Sequence, residues 1–346
     1  MTTADSNSFD VRVNNPTPLA LAAAGMAPGS WATFTCNYAT GKTLFDLLDV
    51  TLTKRCTEYA DKMVWDSSRR QIYFTGGGHN DSNSVDLKTI VYNDDQNTWT
   101  DLGRPPWYSP PTQTRHAYQH NAFEGNTHYF MVYGGSPFLI RTRNVITNAW
   151  STTPGPNPGG TAIGSLEWFP TYGANGTMVV VNGQGPGDDP GVVMIRPNGG
   201  SWSQLATPTM GAYHNIGVYS QPKNLMYFGG GVDSRRLYTL SNTGQITARA
   251  DCPVVFQVSD SVTTVDPVTG NLLVLHSDKV VREFNPDTNS WGTASGPPNA
   301  FWQQSAYQAG AAFGIVAAPI YDYGVTMFIT LGSTGNSPAI YLRKGS

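Results

Sequence analysis

The chain has 346 residues and a net charge of −3, and 13% of its residues are charged, about half the usual share in a globular protein. Its 37 glycines, 24 prolines, 17 tyrosines, 14 phenylalanines and 9 tryptophans suit many short strands joined by tight turns and argue against a helical bundle. Hydrophobic residues at 39% argue against general disorder, and 21 Lys and Arg without a basic block argue against nucleic-acid binding.

Residues 1–29 read as an N-terminal arm. Their longest apolar stretch, Leu19 to Ala27, is too short to span a bilayer. Asp5, Asp10 and a single Arg12 precede it, so neither membrane insertion nor a secretory signal is expected. The arm has no place in the repeat that follows, and it is expected to be pinned against the rest of the chain or against a neighbouring subunit. With no leader in view, this favours a surface-attached or virion-associated component outside the cell, a cytoplasmic protein being the alternative. Cys36, Cys56 and Cys252 lack metal-type spacing and read as free or buried thiols, with a Cys36–Cys56 bridge as the alternative.

From Tyr59 the sequence repeats itself. The first unit, "YADKMVWDSSRRQIYFTGGGHNDSNSVDLKTIVYNDDQNTWTDL", reads as a strand into Asp66, a turn, a strand ending at Gly76-Gly77-Gly78, a loop, a strand through Tyr92, and Trp99. The second keeps that order with Gly134-Gly135 and Trp150, and the third has "TYGANGTMVVVNGQG" and Trp202. The fourth has "VYSQPKNLMYFGGG" and Ile246 at the tryptophan position, and the fifth ends at Trp291 with His276-Ser277 in place of the glycines. Four strands per unit, with glycine after the second, are the mark of propeller blades. The last 55 residues supply three strand-like runs and no tryptophan strand, whereas "SWATFTC" at Ser30 to Cys36 looks like a displaced fourth strand. The expected fold is therefore all-β: a six-bladed β-propeller over residues 30–346, its last blade closed by the N-terminal strand.

The glycine pairs and triplet, the Tyr or Phe of the third strand and the Trp opening the fourth resemble Kelch repeats over residues 57–346. That resemblance implies a propeller whose functional loops enter the innermost strand and follow the second strand, opening on one face. Read at those positions, Tyr59, His79, Arg115, Tyr118, His120, Arg141, Trp168, Tyr213, His214 and Arg235 converge, and five of the six histidines share the rim, with His128 opposite.

Three chemistries fit such a rim. The first is binding of a glycan or other polar ligand, with Tyr59, Arg115, Trp168, Tyr213, His214 and Arg235 as contacts. The second is a polysaccharide lyase: the rim resembles ulvan-lyase-type propellers, which implies His79 or His120 as base or charge neutraliser, Tyr118 as acid or base, and Arg141 or Arg235 holding a uronic carboxylate. A protein-interaction scaffold is the third. The run "YHNIGVYSQPKNLMYFGGG" is also similar to the copper-ligand blade of galactose-oxidase-type propellers, yet the position of their cross-linked cysteine is occupied here by Ala60. Metal and cofactor are left open by the sequence.

Overall fold

The repeat folds as its pattern demands. In the computed structural model, described over residues 16–49, 55–77, 87–109, 117–132, 138–157, 164–185, 187–302, 314–330 and 338–346, six sheets each hold at least four strands. The first blade comprises Val64–Asp66, Gln71–Gly76, Lys88–Asn93 and Thr98–Asp101. The second comprises Asn121–Glu124, Thr127–Val132, Leu139–Asn144 and Trp150–Pro154. The third runs through Ser165–Phe169, Thr177–Gly183, Asp189–Pro197 and Ser203–Ala206. Ile216–Ser220, Leu225–Gly229, Leu237–Ser241 and Ile246–Ala248 make the fourth, and Ser261–Val265, Leu272–His276, Val281–Asn285 and Ser290–Thr293 the fifth. The inner strands adjoin one another in this order and close through the sixth blade, giving the ring. Second strands such as Thr177–Gly183 are buried along their whole length, because both sheet faces are covered by neighbouring blades.

The sixth blade contains Val316–Ile320, Val325–Ile329 and Ile340–Lys344. Its outermost strand is Trp31–Phe34, antiparallel to Ile340–Lys344 with Trp31 opposite Arg343 and Phe34 opposite Ile340. Six residues after Trp31, Asn37–Tyr38 adds a short parallel edge to the first blade at Thr98–Trp99. One N-terminal segment thus stitches both sides of the seam and covers the edges that an open ring would expose. Trp31 also takes the role of the fourth-strand tryptophan. Its indole Nε1 donates to Ser295 O (3.0 Å), as Trp202 donates to Pro154 O (3.0 Å) and Trp291 to Ala250 O (2.9 Å). Each indole reaches the carbonyl of the preceding blade, so the repeated tryptophan ties neighbours together as well as filling space.

The helix Pro18–Ala24, capped by Thr17, docks on the same seam with Leu19 fully buried. Asp94 of the first blade accepts hydrogen bonds from Leu19 N (3.0 Å), Thr17 Oγ1 (2.5 Å) and, from the sixth blade, Tyr323 OH (2.9 Å). The described part of the arm therefore lies against its own ring; residues 1–15 lie outside the described residues. Cys36, Cys56 and Cys252 are all free and buried, so the Cys36–Cys56 bridge is not formed. No helix among the described residues is long and apolar enough to cross a membrane.

Glycine after the second strand has a steric cause. A Cβ on Gly183 would overlap the Gly211 carbonyl oxygen, and Gly230 combines a φ of 63° with the Phe256 carbonyl at the place a Cβ would fill. Where one blade's second strand meets the loop leading into the next inner strand, the backbones approach too closely for a side chain.

Candidate functional site

Inner strands of a propeller all run the same way along its axis, so residues just before them gather at one mouth and residues at their ends gather at the other. Between the mouths, three side chains cross the axis. Lys62 of the first blade donates to Leu166 O (2.7 Å) and Glu167 Oε2 (2.9 Å) in the third blade and to Gly217 O (3.4 Å) in the fourth. Gln119 of the second blade donates from Nε2 to Asp61 Oδ2 (2.8 Å) and accepts from Gly217 N (2.5 Å). Asp61 Oδ2 also accepts from Thr263 N of the fifth blade (3.2 Å). Five blades are thereby joined through buried polar groups, which holds both mouths in fixed register. Burial raises the Asp61 carboxyl to about 7, against the hydrogen bonds from Gln119 and Thr263 and the charge of Lys62.

At the first mouth Tyr59 and His214 meet, with Tyr118, 1% exposed, packed against both. Their ring centroids are 6.2 Å apart for Tyr59–Tyr118, 5.7 Å for Tyr59–His214 and 5.1 Å for Tyr118–His214. His120 packs edge-on against the other side of Tyr118 at 5.3 Å, and Tyr213 borders His214 at 6.4 Å. Four of these residues sit on left-handed backbone, with φ of 51° at Tyr59, 24° at Tyr118, 55° at Tyr213 and 57° at His214. Such conformations are unfavourable for bulky side chains and persist only where surrounding contacts impose them. Here Ala60 bridges Tyr118 as an isolated parallel pair, and Val258 N donates to His214 O (3.2 Å).

Burial lowers the His214 imidazole below its ordinary value, against the Gln257 hydrogen bond and the nearby Asp260 charge. His214 Nδ1 donates to Gln257 Oε1 (3.2 Å), whose amide in turn donates to Asp260. Burial, with the charges of Glu58 and Asp260, raises the Tyr59 phenol. Both groups are thus held in their neutral forms, as donors and acceptors of hydrogen bonds.

The other sequence-derived residues fall in different places. His120 is fully buried beneath Tyr118, and its neighbour Asn121 is structural: Asn121 Oδ1 accepts from Thr75 N (2.9 Å) and Nδ2 donates to Thr75 O (3.1 Å). Asn215, after His214, likewise accepts from Gly183 N (2.7 Å) of the third blade, while its Nδ2 donates to Gly211 O (2.8 Å) and Gly230 O (3.0 Å). The recurring His-Asn pair is therefore in part a device for holding the preceding blade. Arg141 lies within the third strand of its blade, its guanidinium 4.6 Å from the Trp107 ring and its Nη1 donating to Thr152. Trp107 stacks on Phe130, which contacts His120, so two rings separate Arg141 from the histidine. Arg235 is exposed beyond the fourth blade's glycines. His79 and Arg115 lie outside the described residues.

Trp168 departs from the expectation that it shares the rim with Tyr118. It is the fourth residue of the inner strand Ser165–Phe169, past Glu167, and so belongs to the opposite mouth. That mouth contains a cavity of about 180 Å³ walled by Trp65, Trp168, Tyr219 and Tyr321, with Lys62 and Glu167 at its base. Sequence reasoning missed this site because its polar floor is visible only once the axis is assembled. Among the described residues no group of three or more His, Cys, Asp or Glu could hold a metal ion.

No protein-family model matches the chain, and no curated protein matches it. Among solved structures it is similar to a fungal alcohol oxidase of the AA5 family in complex with copper, at 11% identity and TM-score 0.47 over 85% of this chain and 77% of that one. It is also similar to YjhT, at 13% identity and TM-score 0.48 over 82% and 94%. A chain of a mitotic checkpoint complex aligns at 13% identity and TM-score 0.49 over 100% and 98%. At these identities and TM-scores none of the three likenesses bears on what the chain does.

Proposed function

We propose that this protein is a ligand-binding propeller, built on Kelch-type repeats, whose Tyr- and His-lined mouth takes a hydroxyl-rich ligand of the glycan class. The observation that carries this reading is a set of four left-handed residues, of which Tyr59, Tyr213 and His214 reach the mouth while Tyr118, 1% exposed, packs behind them. Strained backbone of this kind concentrates where a side chain is held for a ligand. Aromatic faces stack on sugar rings, and neutral phenol and imidazole groups read hydroxyls.

Binding is favoured over elimination because a lyase must neutralise the uronate beside its base, and Arg141 stands two rings away from His120. The test is retention on a panel of neutral and acidic glycans, with absorbance of any new double bond followed in parallel. Retention without absorbance, reduced about tenfold or more by His214→Ala or Tyr213→Ala, is the expected result. An unsaturated product formed from an acidic polysaccharide would replace this reading with the lyase. No retention of any glycan would leave a protein-interaction scaffold.

A further inference from the structure

The cavity at the opposite mouth lies on the axis of the ring. The last residue but one of every inner strand lines it: Trp65, Phe123, Trp168, Tyr219, Thr264 and Pro319 in blade order. Four of these six are aromatic, and Tyr321, just past the sixth inner strand, adds another ring. The fifth and sixth blades fold with threonine and proline at this position, so the blades themselves do not demand aromatics there. Nor are the rings wholly spent on the core, since each is part-exposed. Two are fixed by their polar ends: Trp65 Nε1 donates to Asp322 (2.6 Å), and Tyr321 OH donates to Tyr219 O (2.8 Å).

The charges beside these rings leave a negative excess. At the base of the cavity Lys62 and Glu167 pair at 2.9 Å and offset one another. Asp322 stands next to Tyr321 at the rim and is exposed. Its hydrogen bonds come from neutral donors, Trp65 Nε1 and Ser67 Oγ (2.8 Å), and no Lys, Arg or His pairs with it among the described residues. Aromatic rings and an unpaired carboxylate both attract a cation. Lys62 has already taken Leu166 O, Gly217 O and Glu167 Oε2, so a cation that brings N–H groups finds the acceptors at the base in use. A quaternary ammonium brings none. The space of about 180 Å³ exceeds the roughly 150 Å³ of a cavity that holds benzene, a group of comparable bulk.

We infer that this second mouth binds a quaternary ammonium group, its methyls among the rings of Trp65, Trp168, Tyr219 and Tyr321 and its charge beside Asp322. The site shares no residue with the Tyr- and His-lined mouth and stands independently of the function proposed for it. The group comes either on a free small molecule or on the trimethylated lysine of a partner protein.

Titration calorimetry of the full chain tests this, with tetramethylammonium, choline, methylammonium and the neutral isostere of choline in which carbon replaces nitrogen. Tetramethylammonium and choline should bind saturably, and the neutral isostere and methylammonium about tenfold more weakly or worse. Asp322→Asn removes the charge and keeps an acceptor for the Trp65 indole, so the fold should stand while choline weakens roughly two- to tenfold. Trp168→Leu keeps an apolar wall without the aromatic ring and should weaken choline about fivefold or more. A trimethyllysine peptide that binds more tightly than choline assigns the lysine source, and one that binds no better assigns a free molecule; both support the site. No binding of either quaternary ammonium, equal affinity for the neutral isostere or for methylammonium, or unchanged choline affinity in either variant overturns the inference. So does loss of choline binding in Tyr213→Ala, which would place the ligand at the first mouth.

Discussion

Replacing Lys62 by methionine tests whether the axial bonds hold the ring together. Methionine retains most of the apolar stem, so packing changes little, while the ammonium and its three hydrogen bonds disappear. Leu166 O and Gly217 O lose a donor, and Glu167, 12% exposed, keeps a charge with, among the described residues, only the Trp168 and Tyr219 amides to stabilise it. Removing one partner of a buried ion pair destabilises by about 3–5 kcal/mol. The two backbone amides that remain on Glu167 place Lys62→Met near the lower end. Adding Glu167→Gln removes the stranded charge and keeps an acceptor for Tyr219 N, so the double variant should recover roughly 1–3 kcal/mol. Urea unfolding with the slope held in common reads both values. A loss under about 1 kcal/mol in Lys62→Met, or a double variant as unstable as the single one, would refute the role assigned to the axial bonds.

Trp31→Ala removes the ring that packs on Phe301 and Phe328 at 5.4 and 5.1 Å and donates to Ser295. It should lower stability by about 2–4 kcal/mol in thermal or urea unfolding, and an effect within error would mean that the N-terminal strand does not close the ring. Asp61 holds its proton in the folded chain to about pH 7, whereas the unfolded chain releases it near its ordinary 3.8. Its contribution to stability is therefore present at low pH and lost as pH rises between those values, and Asp61→Asn should abolish that decline. His128, fully buried and lowered to about 3 by desolvation, acts with the opposite sign: stability rises with pH between about 3 and 6.5, as Asp61→Asn should reveal more clearly than the parent chain. If the parent and Asp61→Asn show the same pH profile, Asp61 does not titrate as its burial demands. Burial pushes the thiols of Cys36 and Cys56 up to about 12 and that of Cys252 to about 11, so a thiol reagent at mildly alkaline pH should label none of them until the protein is unfolded. Rapid labelling of the native chain would contradict their placement.

The ring is legible in the sequence because each blade repeats the same constraints. Backbones that nearly touch at Gly183 and Gly230 admit only glycine, and the outer strand needs a large ring that can also reach the preceding blade, as Trp31, Trp202 and Trp291 do. These demands recur around most of the ring, so they print a period on the chain, and the last unit, which ends without an outer strand of its own, points to the N-terminal segment that supplies it. The axial residues occur once each. Lys62 meets Leu166 and Gly217 across 104 and 155 positions of sequence, and nothing local distinguishes a lysine that spans the axis from one that faces water. Trp168 shows how small an error suffices. Beginning the third inner strand after it, rather than at Ser165, moves the indole from one end of the axis to the other. His120 and His214 looked alike in sequence because each precedes an asparagine that holds the blade before it, yet one ring is buried beneath Tyr118 and the other stands beside it at the mouth. A motif set by the needs of the ring thus leaves its imidazole at the mouth only where the adjoining loop turns it outward. The left-handed backbone at Tyr213 and His214, which no pattern of residue types announces, is what makes that difference.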